Sequence, residues 1–248
     1  MITESIVIII IIIGFVLLFV CIEKNIRDRE SLEVYRKLLE ADRKLLETVT
    51  NLDRGTNAER DMVLKFLKHG IASQTIFHDL YLKKYNGNFS QIDLVVATKV
   101  GIIVFEIKDY SGWIFGNGYH SQWTQILAYG KQKYRFYNPI MQNNKHITEL
   151  KKQLKQTNVP FFSVIVFYGD CVLKDISFVP DRTYIVKQTR VFDVIDFIMK
   201  NNIPAHYTNK IEVINILKEA VKNGESKDIR IQHIENINDM LGKDRIFD

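Results

Sequence analysis

The sequence predicts an α/β domain in which a mixed β-sheet is flanked by helices, preceded by an apolar helix and a helical stalk. A β-hairpin of strongly apolar strands, and the order helix, three strands, helix, strand around it, predict the domain. A charge-free run at residues 6–22 predicts the apolar helix. The chain has 248 residues, 46% of them hydrophobic and 25% charged, which is ordinary for a globular protein.

The run at residues 6–22 reads IVIIIIIIGFVLLFVCI and is at the lower length limit for a helix that crosses a bilayer. A cleaved signal peptide is the competing interpretation, but no Lys or Arg precedes the run and no small-residue cleavage pattern follows it. Lys24, Arg27 and Arg29 lie just after it. The positive-inside rule therefore predicts a single-pass membrane protein with its N-terminus outside and its C-terminal domain in the cytoplasm.

The cysteines agree with this assignment, and the net charge of +5 is consistent with binding polyanions. Cys21 in the apolar run and Cys171 in a predicted strand provide no disulfide framework and no zinc-ligand spacing. Basic residues surround the hairpin in the sequence, as binding to phosphate backbones requires. They are Lys83, Lys84, Lys131, Lys133, Arg135, Lys145, Lys151, Lys152 and Lys155. For the last four of these residues, a solvated helix face is an equally good explanation.

Residues 26–52 follow a helical pattern, with apolar residues at three- and four-residue steps. This segment is either a short coiled coil that joins two copies into a homo-oligomer or a stalk that lies on its own domain. The predicted division of the chain is a transmembrane anchor at 1–24, a stalk at 25–53, a nuclease-like domain at 54–204 and a C-terminal helical extension at 205–248.

The remaining elements follow from periodicity and from cap and turn residues. Helices are predicted at 58–69, 139–156, 191–200, 209–222 and 227–241, and strands at 75–84, 91–98, 101–108, 113–115, 161–168 and 184–187. The sequence contains no GxxxxGK phosphate loop, so it does not predict nucleotide hydrolysis.

Three charged residues interrupt the apolar hairpin: Asp93 on one arm, Glu106 and Lys108 on the other. A two-residue turn at 99–100 pairs Thr98 with Gly101, which places Asp93 opposite Glu106 on one face, and Lys108 lies on that face two residues further on. The predicted neighbours on that face are Val95, Ala97, Ile102 and Val104. The predicted opposite face comprises Ile92, Leu94, Val96, Ile103, Phe105 and Ile107. Because both faces are apolar, the hairpin is expected to be buried on both sides.

Burying such charges is costly unless they are paired or bind a metal. A structural salt bridge is one explanation for them. The other is a hard divalent cation, Mg²⁺ or Mn²⁺, held by the two carboxylates, with the lysine orienting a water molecule or neutralising charge on a phosphate. The second explanation predicts metal-assisted hydrolysis of phosphodiester bonds.

Several separated motifs occur in one order between about residues 55 and 154. They are Gly55-Thr56-Asn57-Ala58-Glu59, His78-Asp79-Leu80, Gln91-Ile92-Asp93, the strand Gly101 to Lys108, Trp123, and Asn138-Pro139-Ile140-Met141-Gln142. In this order they resemble the nuclease-related domain (NERD) family. That family is placed in the PD-(D/E)XK nuclease superfamily, which has a restriction-endonuclease-like fold.

The resemblance implies a Mg²⁺-dependent nuclease in which Asp93 and Glu106 bind the metal and Lys108 is the catalytic lysine. It adds Glu59, the acidic residue of the first helix, to the metal-binding carboxylates, and Gln142 to the catalytic residues. At Glu59 a simpler explanation exists, since a carboxylate suits a helix N-terminus. Two residues depart from the family pattern, Ala58 where Gly is usual and Leu94 where His is frequent.

We therefore expect a membrane-anchored, cytoplasm-facing nuclease that acts on DNA, or on RNA in second place. The competing hypothesis is a catalytically inactive module on the same fold that binds nucleic acid or protein at the membrane. The two hypotheses differ in whether Asp93 binds a divalent metal.

Overall fold

The computed structural model describes residues 2–127, 130–155 and 158–244, with side chains described between residues 23 and 236 except at residue 26. The chain forms two compact units, Met1–Glu47 and Thr48–Asp248. The predicted membrane span, 6–22, lies outside the described side chains. Within the part of the chain that the structure describes, no helix is both long and apolar enough to cross a bilayer.

The first unit is built on helix α1 (Ile2–Leu46), which ends before residue 52, the predicted end of the stalk helix. Its predicted apolar stripe includes Leu32, Tyr35 and Leu38, which are exposed. Ion pairs four residues apart line the helix surface, such as Lys37 Nζ to Glu33 Oε1 at 2.9 Å. Association of two copies through this helix stays a prediction.

The second unit combines two mixed sheets with helices. The described helices are α2 (Asn57–Lys68), α3 (Pro139–Leu154), α4 (Val191–Asn201), α5 (Lys210–Asn223) and α6 (Lys227–Asp244). The described strands are β1 (Ile76–Lys83), β2 (Phe89–Thr98), β3 (Gly101–Asp109), β4 (Gly112–Asn117), β5 (Gln122–Leu127), β6 (Gln132–Tyr137), β7 (Phe161–Tyr168), β8 (Cys171–Ser177) and β9 (Thr183–Lys187).

The first sheet has the order β1-β2-β3-β7-β9 and contains the predicted hairpin at β2 and β3. Its antiparallel pairs run from Thr98 opposite Gly101 to Leu94 opposite Phe105, so the predicted register is confirmed. β3, β7 and β9 are parallel to one another. Glu106 and Lys108 therefore lie near the carboxyl end of a strand, where parallel strands commonly present functional groups.

The predicted strict alternation of faces is wrong at Ile92. Ile92 belongs to the same core cluster as Val95, although the two positions differ in parity. The neighbouring strand shows the same break, since Phe77 and Leu80 share that cluster as well. Between these two residues Asp79 has a φ of 54°, outside the β region, which reverses the direction of the following side chains.

Asp79 is held in this conformation by buried polar contacts. Arg54 Nε donates to Asp79 Oδ2 at 3.0 Å, and Gln91 Nε2 donates to Asp79 Oδ1 at 2.8 Å. The pairs His78–Leu94 and Leu80–Ile92 flank positions 79 and 93, so the break lies opposite Asp93. The irregularity therefore occurs at the strand position that carries a predicted site carboxylate.

A second sheet, with the order β6-β5-β4-β8, is present in addition to the single mixed sheet that the sequence predicts. Its inner face is apolar, where Ile114, Trp123 and Cys171 pack with Ile165 and Phe167 of β7. Trp123 and Phe167 stack with their ring planes 3° apart. β5, β6 and β8 are missing from the predicted strand ranges. β6 is almost wholly exposed and mixes aromatic with charged residues, so it lacks a clear alternation of apolar and polar residues by which strands are recognised.

Helices cover both faces of the first sheet. Phe66 of α2 meets Phe105 with ring centroids 5.0 Å apart, while α3 and α5 contribute Ile147, Leu150 and Leu217 to the cluster on the opposite face. α5 belongs to the segment 205–248 that was predicted as an extension, and it is part of this core. The hairpin is therefore covered on both sides, which makes the charges at its end costly to hold.

Candidate functional site

Asp93, Glu106 and Lys108 lie at the end of the hairpin, beyond the last antiparallel pair of β2 and β3. Lys108 Nζ is 2.6 Å from Glu106 Oε1, and Glu106 is 1% exposed. Asp93 is half-buried, and its Oδ2 accepts a hydrogen bond from the backbone N–H of Ile107 at 2.7 Å. The predicted triplet is thus joined through one ion pair and one backbone hydrogen bond.

Helix α3 adds two side chains to this end of the hairpin. Asn138 caps the helix by accepting from the N–H of Ile140, and Pro139 follows at the first helical position, where its missing N–H costs nothing. One turn into the helix, Gln142 Oε1 accepts from Lys108 Nζ at 3.1 Å. Gln142, predicted as a site residue by the resemblance, therefore contacts the lysine directly.

His146 lies four residues after Gln142 and so projects from the same face of α3. Its Nε2 is 3.5 Å from Glu106 Oε2, and its Nδ1 is 3.1 Å from Ser90 Oγ. Glu106 is therefore flanked by Lys108 on one oxygen and by an imidazole on the other.

Glu59 of α2 is held in a similar way by a second histidine. Its N–H donates to Thr56 Oγ1 and its Oε1 accepts from that hydroxyl at 2.8 Å, which is a helix-capping arrangement. His78 Nε2 is 3.3 Å from Glu59 Oε2, and His78 Nδ1 is 2.7 Å from Thr50 Oγ1. Glu106 and Glu59 therefore each face a histidine whose other ring nitrogen lies within hydrogen-bond distance of a hydroxyl.

Gly55 makes room for the pair formed by Glu59 and His78. It has a φ of +62°, and a Cβ atom there would lie 2.5 Å from both Glu59 Oε2 and His78 Nε2. A side chain at this position would be strained and would also displace the two groups.

The electrostatics show an excess of negative charge. Burial, followed by repulsion from Glu106 and Glu59, raises the pKa of Asp93 well above its usual value, despite Lys108 and the Ile107 N–H. Burial alone would lower the pKa of Lys108, but Glu106 and Asp93 raise it, so the lysine is charged at neutral pH. Burial would also raise the pKa of Glu59, but the contacts with His78 and Thr56 bring it below its usual value.

A divalent cation fits this arrangement by charge and by donor type. Glu106 Oε2 and Glu59 Oε2 are buried oxygens without a hydrogen-bond partner in the described structure, and Asp93 is an oxygen donor under repulsion from both residues. Hard cations take such oxygen ligands. Within the described residues, no group of three His, Cys, Asp or Glu side chains is already arranged to hold a metal ion.

The structure joins Asp93, Glu106, Lys108 and Gln142 through the contacts given above, while Glu59 reaches Asp93 only through its charge. Sequence reasoning missed His78, His146 and their hydroxyl partners. The four-residue spacing from Gln142 was the available signal for His146, because it places both side chains on one helix face. His78 stood within a motif that carried the resemblance but was given no role.

Two carboxylates and a lysine at the end of a strand, with a helix presenting a glutamine to the lysine, define a nuclease-like α/β site. Residues 54–168 match the model of the nuclease-related domain family, which confirms the resemblance predicted from the motifs. An uncharacterized protein of Bacillus anthracis is 27% identical over 175 residues, which cover 69% of this chain and 77% of that protein. The search of solved structures found no match to the chain.

Replacing His146 tests whether it supports Glu106. We expect His146→Ala to lower the free energy of unfolding by about 1–3 kcal/mol, because Glu106 Oε2 and the Ser90 hydroxyl lose their neighbour inside the protein. The measurement is thermal or urea unfolding of the full chain in mild detergent, followed by the fluorescence of buried Trp123. His120→Ala, at an exposed position, is the control and should change stability little. Equal losses in the two variants would contradict the assigned support.

Proposed function

We propose that this protein is a metal-dependent nuclease that hydrolyses the phosphodiester bonds of DNA, with RNA as the alternative substrate. The observation that carries the proposal is the cluster of Asp93, Glu106 and Lys108 at the buried end of the hairpin. The nuclease-related domain at residues 54–168 supports the same reaction class. The restriction-endonuclease-like fold and the dependence on Mg²⁺ or Mn²⁺ are parts of this proposal.

The residues that would hold the metal are Asp93 and Glu106, with Glu59 as the third carboxylate. When bound, a divalent cation supplies a polarised water and neutralises charge on the phosphate. Burial first, and then repulsion from Glu106 and Glu59, raises the pKa of Asp93, and a bound cation would compensate the negative charge that both effects disfavour.

Lys108 acts in this proposal as a fixed positive charge and not as a base. Its pKa is raised by Glu106 and Asp93, so it carries its proton through the neutral range. A charged ammonium group stabilises the negative charge that develops on the phosphate in the transition state. Gln142 accepts one of its hydrogen bonds and so restricts where the ammonium points.

The alternative is a module that binds nucleic acid or protein without turnover. The observation that favours it is that Glu106 is already paired with Lys108 and faces His146, so the carboxylates could serve as buried pairs alone. Calorimetry with Mn²⁺ separates the two functions. An inactive module should show no heat of binding that depends on Asp93.

Loss of the lysine charge tests the nuclease. In Lys108→Met we expect cleavage of DNA with Mg²⁺ or Mn²⁺ to fall by about 10²–10³-fold, the usual effect of removing one group that stabilises transition-state charge. Lys99→Met, in the turn at the other end of the same hairpin, is the matched control and should cleave like the wild type. EDTA should abolish cleavage in every variant. Unchanged cleavage in Lys108→Met would contradict the assigned role.

The pH dependence of stability tests the charge excess at Asp93. Its folded pKa lies above the usual 3.8, so between these values the folded state keeps a proton that the unfolded state has lost, and stability falls as pH rises through that window. At pH 8 without metal, Asp93→Asn should therefore raise the melting temperature. The expected rise is about 2–4 °C for each kcal/mol by which the substitution increases the free energy of unfolding. Below about pH 3.8 the difference should vanish, because both states of the wild type are protonated there.

Asp181→Asn, at an exposed position, is the control for the removal of one negative charge. It should leave the melting temperature nearly unchanged at both pH values. A lower melting temperature for Asp93→Asn at pH 8 would show that the ionised carboxylate stabilises the fold, against the proposal.

The location of the nuclease is proposed from residues 6–22 as a membrane anchor with the domain in the cytoplasm. We expect the full chain to remain in the membrane pellet after alkaline carbonate washing. Ile10→Lys combined with Val16→Lys should release it, because each central lysine costs about 2.5–3.5 kcal/mol of insertion. Leu32→Lys with Val34→Lys, on exposed positions of α1, is the matched control. Release of the wild type would contradict the anchor.

A further inference from the structure

The outer face of the second sheet is the side opposite Ile114 and Trp123, which are buried in the inner core. Cross-strand pairs place Val172, Trp113, Ile126 and Lys133 in one row across β8, β4, β5 and β6 on this side. Trp113 is 37% exposed and Val172 is 47% exposed. The outer face, defined by this row and by Arg135 and Tyr137 next to it on β6, therefore presents aromatic and apolar surface to solvent.

A pocket at this face lies beside the exposed tryptophan. It has a volume of about 310 Å³ and is lined by Trp113, Ile126, Leu127 and Val172, with Ser111 and Asp170 among its polar residues. This volume is at the lower end of the range for small-ligand sites. The pocket offers one flat ring and apolar walls, which suit a planar heterocycle.

One lysine lies beside the Trp113 ring, and further basic residues lie across the sheet on β6. Lys174 Nζ lies 5.1 Å from the centroid of Trp113, and Lys133 and Arg135 are exposed on the edge strand β6. The acidic residues near this row are Asp170 and Asp175, so positive charge exceeds negative charge there. Bases stack on aromatic rings while phosphates bind Lys and Arg, and this face combines both features.

One end of the outer face contacts α3, the helix that carries Gln142 and His146 of the candidate catalytic site. Tyr137, at the end of β6, has Lys145 Nζ 4.7 Å from its ring centroid. Lys145 lies on α3 between Gln142, which contacts Lys108, and His146, which faces Glu106. β4 itself begins at Gly112, shortly after Lys108 on the chain. A polyanion bound along the outer face would therefore reach the residues that carry the proposed chemistry.

We propose that the outer face of the second sheet binds single-stranded nucleic acid, with a base stacked on Trp113 and phosphates on Lys133, Arg135 and Lys174. The occupant is single-stranded because a base in a duplex is already stacked on its neighbours and does not offer its face to a ring. This inference rests on the proposed nuclease function and specifies the form of its substrate.

Tryptophan fluorescence reports the proposed contact directly, because the chain has two tryptophans and the other, Trp123, is 1% exposed. The full chain in mild detergent, with EDTA present and Asp93→Ala to prevent cleavage, is titrated with a 12-nucleotide oligothymidylate and with a duplex of the same length. We expect the single strand to quench the fluorescence and to bind at least about tenfold more tightly than the duplex. Trp113→Phe should abolish the quenching while Trp123 continues to fluoresce.

Charge reversal tests the phosphate contacts. Lys133→Glu with Arg135→Glu should weaken binding about tenfold or more and reduce its dependence on salt. Lys218→Glu with Lys222→Glu, exposed positions on α5, changes the net charge equally and should leave the affinity within about threefold. Quenching that survives in Trp113→Phe, or equal binding of duplex and single strand, would overturn the inference.

A parallel cleavage assay on the otherwise wild-type chain with Mn²⁺ separates this inference from the proposed function. Cleavage without Trp113-dependent quenching would overturn the outer-face site and leave the nuclease standing. Quenching in EDTA without cleavage by the wild type would support the binding site and contradict the nuclease.

Discussion

A buried carboxylate with too little positive charge around it is the constraint on which the site depends. Glu106 is almost wholly removed from water, and Asp93 and Glu59 add further negative charge nearby. A single lysine compensates directly, with its Nζ 2.6 Å from Glu106. Gln142 accepts a hydrogen bond from that lysine, and His146 faces the second carboxylate oxygen of Glu106. These contacts help to stabilise charges that would be costly to bury in an apolar sheet alone.

The backbone irregularity at Asp79, opposite Asp93, also contributes to the placement of these charged groups. A regular strand would direct Asp93 and its neighbours strictly to alternate faces, each covered by a helix. The left-handed residue Asp79, held by buried Arg54, breaks the alternation opposite Asp93. Arg54 also donates to the carbonyl oxygen of Val221 at 2.9 Å, so α5 is tied to the same irregularity. The cost of this strained residue is met by a buried ion pair and a network of hydrogen bonds.

The hairpin and the helix that carries Gln142 were predictable because their signals are local. The register of β2 and β3 follows from a two-residue turn, and α3 begins where Asn138 and Pro139 indicate. The second sheet was not predictable in full, since β6 is almost wholly exposed and the pairing of β4 with β8 joins residues distant in sequence. The two histidines were missed for a related reason: their partners, Ser90 and Thr50, are far away along the chain and are brought close only by folding.

The residue at the position of Gly55 can be used to classify related chains from their sequences alone. Its missing Cβ is the space in which the carboxylate of Glu59 and the imidazole of His78 meet. A homologous chain with a bulkier residue there has no room for both groups in their present places. Such a chain must have rebuilt or abandoned this side of the site, even where the hairpin carboxylates and the lysine are kept. The residue at position 55 would thereby distinguish chains that keep the whole arrangement from chains that keep only Asp93, Glu106 and Lys108.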